Sequence, residues 1–227
     1  MQSESIFFSF LSLFVLISFF ITLIIQKISR SFFSESLLDI DFNKPQAFHK
    51  NSIPRCGGLS SIILLIIFSI MNFIFFQSIL IDYTVIGILL FTVGFLDDIK
   101  TNISPNLRLV LMIFFLTTSI YIFQIEVYDV DWAFLDQLLL NRVFHIIFIL
   151  LCFLFIINGA NLIDGFNGLL GINLLIINFI LLSININDGN NQLVLIIITQ
   201  IIMLFTYLMF NFPRAQIFLG DSGSYFV

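Results

Sequence analysis

Long runs of apolar residues constrain this sequence more than any other feature. A helix of about 20 apolar residues can cross the ~30 Å hydrocarbon core of a bilayer. Charged residues make up only 10% of the chain and hydrophobic residues 59%, whereas soluble domains carry roughly a quarter charged residues. The sequence therefore predicts an integral membrane protein and excludes both a soluble globule and a disordered chain. The seven candidate spans are Ile6 to Ile25, Leu59 to Leu80, Tyr83 to Leu96, Leu107 to Ile125, Val143 to Ile157, Leu169 to Ile184 and Leu193 to Phe210.

The predicted fold class is all-α, a polytopic membrane helical bundle forming one domain over residues 1–227. We expect about seven complete transmembrane helices and the start of an eighth near Tyr225. The first run lacks the basic leader and cleavage site of a secretory signal, so it is interpreted as a retained helix. The third and fifth runs are short for a span, so part of the polar motif after each is expected to complete the helix.

The distribution of basic residues predicts the orientation. Lys and Arg concentrate in cytoplasmic loops, and placing the loop after the first span in the cytoplasm puts eight of the nine there, leaving Arg142 outside. The N-terminus is then predicted outside the cytoplasmic (inner) membrane. Four polar loops, 26–58, 97–106, 158–168 and 211–224, share the cytoplasmic face and are expected to converge on one site. The net charge of −5 argues against nucleic-acid binding, which needs a basic surface.

The first two motifs flank the second and third spans. In HKNSIPRCGGL (His49 to Leu59), the side chains of His49, Lys50 and Arg55 are candidates to bind phosphate, although flanking cations before a helix are the simpler interpretation. In GFLDDIK (Gly94 to Lys100), the adjacent Asp97 and Asp98 should point about 100° apart on a helix and so divide roles. A polar helix end is the alternative.

The third motif is NGANLIDGFNGLLG, Asn158 to Gly171. Asn158, Asn161 and Asp164 recur every three residues, which places two amides and a carboxylate on one side of a helical turn. Close packing of membrane helices explains the glycines but not these polar residues, which at membrane depth are usually functional.

The fourth motif is FNFPRAQIFLGDSGS, Phe210 to Ser224. Asp221 lies between Gly220 and Gly223 with two serines, Ser222 and Ser224. We interpret this segment as a flexible polar turn whose backbone N–H groups cradle an anion while the carboxylate of Asp221 holds Mg²⁺. A plain turn is the alternative.

Carboxylates and amides without a Cys/His cluster favour a hard cation, Mg²⁺ or Mn²⁺. Such a cation commonly accompanies a diphosphate, and a lipid environment then favours phosphoryl transfer between a nucleotide and a lipid phosphate. The sequence contains neither a Walker A motif nor a GxGxxG fingerprint. A transporter is less favoured because no charged residue falls well inside a span.

The ordered motifs IPRCGGL, FLDDIK, NGANLIDGFNGL and FLGDSGS resemble the polyprenyl-phosphate N-acetylhexosamine-1-phosphate transferases over nearly the whole chain. The IPRCGGL form is more similar to the branch that starts O-antigen (lipopolysaccharide), teichoic acid or other envelope glycans than to the peptidoglycan-precursor branch. The resemblance implies that the phosphate of a polyprenyl (undecaprenyl) phosphate attacks the sugar-bearing phosphorus of a UDP-N-acetylhexosamine and releases UMP, with Mg²⁺ or Mn²⁺ as cofactor. It leaves a homodimer open.

The resemblance also implies residue roles. Asp221 is the expected metal ligand, and the acidic pair is assigned to lipid-phosphate activation or metal binding. Asn158, Asn161 and Asp164 would organise the nucleotide and metal, while Lys50 and Arg55 would steady the lipid phosphate. The expected catalytic residues are Asp97, Asp98 and Asp164, and the expected substrate-binding residues are Asn158, Asn161, Lys50, Arg55, Gly220 and Ser222.

Two departures from the family pattern matter. Asn167 replaces a common Asp, so no metal or acid–base role is assigned to it. The family also continues into further spans and a late loop with His and Arg, so we expect a truncated member. The alternatives are a remnant that binds without turnover and a transporter that binds lipid phosphate.

Overall fold

The computed structural model describes residues 2–32, 37–39, 52–99, 103–127 and 129–227. Over these residues it is almost entirely helical, with one two-residue antiparallel β-ladder, which confirms the all-α prediction. His49 and Lys50 lie outside the described residues. The elements are α1 (Gln2–Phe32), β1 (Leu38–Asp39), β2 (Ile53–Pro54), α2 (Gly57–Phe76), α3 (Ile81–Asp98), α4 (Pro105–Phe123), α5 (Ala133–Leu139), α6 (Arg142–Ile163), α7 (Leu169–Asn187), α8 (Asn191–Asn211) and α9 (Gly220–Phe226).

Six of the described helices, α1, α2, α4, α6, α7 and α8, are long and apolar enough to cross a membrane. They confirm a multi-pass membrane protein. The third predicted span corresponds to α3, which carries three carboxylates within its 18 residues and is not among the six. The number of seven spans and the outside N-terminus stay predictions.

Local signals in the sequence explain several helix starts. The Ser104 hydroxyl accepts a hydrogen bond from the Leu107 N–H, and Pro105 follows at the first helical position, where its missing N–H costs nothing. The side chain of Asn141 caps α6 in the same way. The sequence at Ser104 and Pro105 therefore determines where the first turn of α4 lies.

The short helix α9 lies among α2, α3 and α6. One buried apolar cluster joins α9 to α3, α4 and α6; its members are Leu90, Val93, Met112, Leu116, Ile157 and Tyr225. A second cluster, which includes Phe10, Phe14 and Phe68, joins α1 to α2. The first of these clusters lies directly beside the polar motifs and so holds the helix ends that carry them.

The chain before α9 runs alongside the chain before α2. The N–H of Phe218 donates to the Pro54 carbonyl at 2.9 Å, and the N–H groups of Gly57 and Gly58 donate to the carbonyls of Phe218 and Leu219 at 2.9 and 2.8 Å. These bonds satisfy backbone groups that a helix start would otherwise leave without partners. They also bind the first sequence motif to the fourth.

Candidate active site

The four polar segments predicted to share one face do meet in space. Pro54–Gly58 pairs with residues 218–219, and the carboxylate of Asp98 accepts hydrogen bonds from the fourth segment. Asn161 contacts Ser224 of the fourth segment through its amide. The predicted convergence is confirmed for the described parts of all four segments.

Helix geometry and one shared apolar cluster explain this convergence. Side chains four residues apart lie on the same face of a helix. Four of the polar side chains around the site lie four residues from a member of the cluster that joins α3, α4, α6 and α9. The pairs are Val93 and Asp97, Met112 and Arg108, Ile157 and Asn161, and Tyr225 and Asp221. Packing of the apolar residues therefore directs the polar ones towards one region.

Asp98 is buried and caps the start of α9. Its Oδ1 accepts from the Asp221 N–H and its Oδ2 from the Ser222 N–H, each at 2.9 Å. Gly220 makes this approach feasible because its φ of +75° favours glycine, and a Cβ there would lie 2.6 Å from Asp98 Oδ2. Gly94 does the same on α3, where a Cβ would overlap the backbone of Asp221. Asp98 thus positions Asp221.

Asp97 points elsewhere, as its position one residue earlier on the helix predicts. Its Oδ2 accepts from Nη1 of Arg108 at 2.6 Å, and the same nitrogen lies 3.2 Å from Oδ2 of Asp221. The side chains of Asp97 and Asp221 are about a quarter exposed, at 28% and 25%. The two carboxylates therefore converge on one partly accessible position.

The three polar residues of the third motif make different contacts at the site. The amide of Asn161 donates to the Ser224 hydroxyl at 3.0 Å, and that hydroxyl donates to the Asp221 carbonyl. The amide of Asn158 instead donates to the Leu154 carbonyl of its own helix. Asp164 follows the last residue of α6, where burial raises the pKa of its carboxyl to about 6. Of Asn158, Asn161 and Asp164, Asn161 is thus the one whose side chain is hydrogen-bonded to the fourth motif.

Two expectations about the fourth motif are corrected. Residues 220–226 form the short helix α9 rather than a flexible turn, and the anion that the N–H groups of Asp221 and Ser222 bind is the carboxylate of Asp98. Ser222 is only 1% exposed. The backbone N–H of Ser222 is engaged by Asp98, and Gly220 lets α9 approach α3. The substrate-binding roles of Gly220 and Ser222 stay predictions.

Charge near the site is unbalanced. The described residues bring together Asp97, Asp98, Asp164 and Asp221 with Arg55 and Arg108, where Nη1 of Arg55 lies 3.9 Å from Asp98 Oδ1. Burial, followed by the neighbouring carboxylate of Asp97, raises the pKa of Asp221 to about 7. Ionised, the four carboxylates exceed the two arginines by two charges, which a divalent cation would neutralise.

Among the described residues, no three His, Cys, Asp or Glu side chains form a group that could hold a metal ion. Mg²⁺ commonly takes only one or two protein carboxylates and completes its octahedron with water and substrate phosphate oxygens. The two oxygens of Asp97 and Asp221 already surround one cationic nitrogen, that of Arg108. The donor set therefore fits Mg²⁺ as a two-carboxylate site.

Sequence reasoning missed two residues. In the sequence, Arg108 is one of the eight basic residues that the orientation rule places in the cytoplasm, and no motif marks it. Asn211 is buried; its Oδ1 accepts from the Gly168 N–H at 2.5 Å and its Nδ2 donates to the Ile217 carbonyl at 2.9 Å. An Asn at the end of an apolar span, directly before Phe-Pro, was the available signal for its role in joining the third and fourth motifs.

Comparison with known proteins finds a family model and several named relatives that are similar to this chain. The family model described as glycosyl transferase family 4 matches residues 80–227. Phospho-N-acetylmuramoyl-pentapeptide-transferase from Dictyoglomus turgidum is 32% identical over 92% of this chain and 68% of its own length. The proteins of the same name from Dictyoglomus thermophilum and Staphylococcus saprophyticus are 30% and 28% identical, over 57% and 70% of their own lengths.

The names of these relatives belong to the peptidoglycan-precursor branch, which the IPRCGGL form does not favour. The glycan branch of this chain therefore stays a prediction. The family itself is shown by two findings, a model match over more than half of the chain and a 32% identical relative of which the chain covers more than two thirds. The chain belongs to glycosyl transferase family 4, the polyprenyl-phosphate hexosamine-1-phosphate transferases.

Proposed function

We propose that the protein transfers an N-acetylhexosamine-1-phosphate from a UDP-sugar to a polyprenyl phosphate at the cytoplasmic face of the inner membrane, in the first membrane step of an envelope glycan. An oxygen of the lipid phosphate forms a bond to the sugar-bearing phosphorus, and the bond from that phosphorus to the bridging oxygen breaks. UMP leaves with that oxygen. The observation that carries the proposal is the convergence of Asp97 and Asp221 on one accessible position.

The chain's own residues would do the positioning. Asp97 and Asp221 would hold Mg²⁺, which when bound supplies charge neutralisation at the diphosphate. Asp98 fixes the start of α9 through its two backbone hydrogen bonds and so orients Asp221. It is better described as a positioning residue than as a base, because its carboxylate is buried and both of its oxygens are engaged.

A separate base is not required for this reaction. The second pKa of a phosphate monoester is about 6, so the lipid phosphate is largely ionised near neutral pH. Arg55, next to Asp98, is the described cation of the first motif, and it would contact lipid phosphate. Asn161 and Asp164 would line the nucleotide side of the site, and Lys50, outside the described residues, keeps its predicted phosphate role.

The test is UMP release by the purified full chain in detergent with undecaprenyl phosphate and Mg²⁺. UDP-N-acetylglucosamine and UDP-N-acetylmuramoyl-pentapeptide should be compared, because the motif form and the named relatives favour different donors. We expect release with one of them and its loss in Asp221→Asn, but not in the control Asp188→Asn, whose side chain is exposed. Substrate binding without any UMP release would instead favour the non-catalytic alternative.

A further inference from the structure

Arg108 occupies the position that a cation at this site would take. Its Nη1 donates to Asp97 Oδ2 at 2.6 Å and lies 3.2 Å from Asp221 Oδ2. The first of these is a short charge-assisted hydrogen bond, among the stronger kinds in proteins. One guanidinium nitrogen thus holds together the two carboxylates proposed to bind metal.

A divalent cation and this nitrogen cannot occupy the site together. Mg²⁺ binds oxygen ligands at about 2.0–2.1 Å with near-octahedral geometry, and the nitrogen is already within hydrogen-bond distance of the same two oxygens. The positive charges also repel each other at this separation. Binding of the metal therefore requires Arg108 to leave both carboxylates.

The surroundings of Arg108 permit such a movement. Its side chain is 27% exposed and belongs to the first turn of α4. The guanidinium carbon lies 5.7 Å from the ring centre of Tyr225, a contact that involves neither carboxylate. The arginine can thus change partners without any movement of the helices.

We propose that Arg108 is a resident counter-cation that divalent metal displaces, and that the released guanidinium then binds a phosphate of the nucleotide sugar. This inference rests on the proposed function, because it assumes that Asp97 and Asp221 hold the metal. A guanidinium suits the second role because its planar array of donors matches phosphate oxygens. Metal-free protein therefore keeps its carboxylates paired, and metal binding makes the phosphate-binding cation available.

The first test measures Mn²⁺ affinity from the electron paramagnetic resonance signal of free Mn²⁺, without substrate. Removing a competing charge-assisted hydrogen bond should tighten binding about tenfold in Arg108→Gln. The matched control is Arg142→Gln, since Arg142 also lies over a tyrosine ring, Tyr121 at 5.5 Å, but at the opposite end of α6 from Asp164. Unchanged or weaker Mn²⁺ binding in Arg108→Gln overturns the proposal.

The second test uses the unsubstituted chain and so does not depend on folding of a variant. Phenylglyoxal modifies accessible arginines, and peptide mass spectrometry reports the extent at each one. We expect saturating Mg²⁺ to increase modification of Arg108 severalfold and to leave Arg142 unchanged. Equal or lower modification of Arg108 with Mg²⁺ overturns displacement.

The two failures are distinguishable. Suppose that the unsubstituted chain binds Mn²⁺ and Asp221→Asn does not, but that Arg108→Gln binds Mn²⁺ no more tightly and Mg²⁺ does not increase modification of Arg108. Displacement is then wrong and the metal site stands. If the unsubstituted chain binds no Mn²⁺, the metal site and the displacement both fall.

Discussion

Neutralising Asp221 should stabilise the metal-free protein. Burial and the nearby carboxylate of Asp97 raise the pKa of Asp221 to about 7, against about 4 for an exposed aspartate. Because the folded-state pKa is the higher one, the contribution of Asp221 to stability is fully present below about pH 4 and is lost as the pH rises towards 7. A difference of about 3 pKa units corresponds to about 4 kcal/mol at pH 7.

The net effect of Asp221→Asn is smaller, because the variant also loses its charged contact with Arg108 at 3.2 Å. A hydrogen bond to a charged group contributes about 1.5–3 kcal/mol, so a net stabilisation of about 1–2 kcal/mol is expected. For a chain of this length, 1 kcal/mol moves Tm by about 2–4 °C. The variant should therefore unfold roughly 2–8 °C higher than the unsubstituted protein in EDTA at pH 7.

Thermal unfolding followed by circular dichroism in detergent measures this difference. It should shrink as the pH is lowered towards 5. Mg²⁺ should raise the Tm of the unsubstituted protein but not that of Asp221→Asn, since a ligand stabilises only the state that binds it. Asp188→Asn, at an exposed position, is the control and should change little. A lower Tm for Asp221→Asn in EDTA at pH 7 would refute the reasoning and make Asp221 a structural ion-pair partner.

Three further substitutions test the packing that positions the site. Gly94→Ala should destabilise the fold by about 1–3 kcal/mol through overpacking against α9. The control Gly159→Ala, with open space around its Cβ position, should be neutral or slightly stabilising. Equal Tm values for the two variants would contradict the close approach of α3 and α9. Asp98→Asn should lower Tm and slow UMP release while Mn²⁺ still binds, because one acceptor of the α9 N–H groups is lost; unchanged turnover would remove its positioning role. Asn211→Ala should cost about 1–3 kcal/mol in chemical denaturation, since it leaves buried backbone groups without partners, and a change below about 0.5 kcal/mol would show that water replaces them.

The spans and the convergence of the loops were predictable because both follow from properties of single segments. Run length determines that α2, α4 and α8 can cross a bilayer, and the predicted alternation of seven spans would put every second loop on one side. The different partners of Asp97 and Asp98 were also predictable, because successive side chains on a helix point about 100° apart. In each case no knowledge of which helices touch was needed.

The contacts of Arg108 and Asn211 were not predictable, because they depend on which helices pack together. Nothing in the sequence near α4 indicates that its first turn faces α3 and α9, and a positive residue near the predicted cytoplasmic end of a span already has an ordinary explanation. The sequence predicts an anion cradle at the turn after Gly220, and the anion that the Asp221 N–H binds in the structure is the carboxylate of Asp98, 123 residues earlier in the chain. Long-range packing decides such partners.

The most direct test of the metal site is pulsed electron–nuclear double resonance on Mn²⁺ bound to the protein with UDP-N-acetylglucosamine. We predict one bound Mn²⁺ with strong phosphorus-31 couplings, and loss of that signal in both Asp97→Asn and Asp221→Asn. A bound Mn²⁺ with the same phosphorus couplings in both variants would contradict the assignment of these two carboxylates as the cation site.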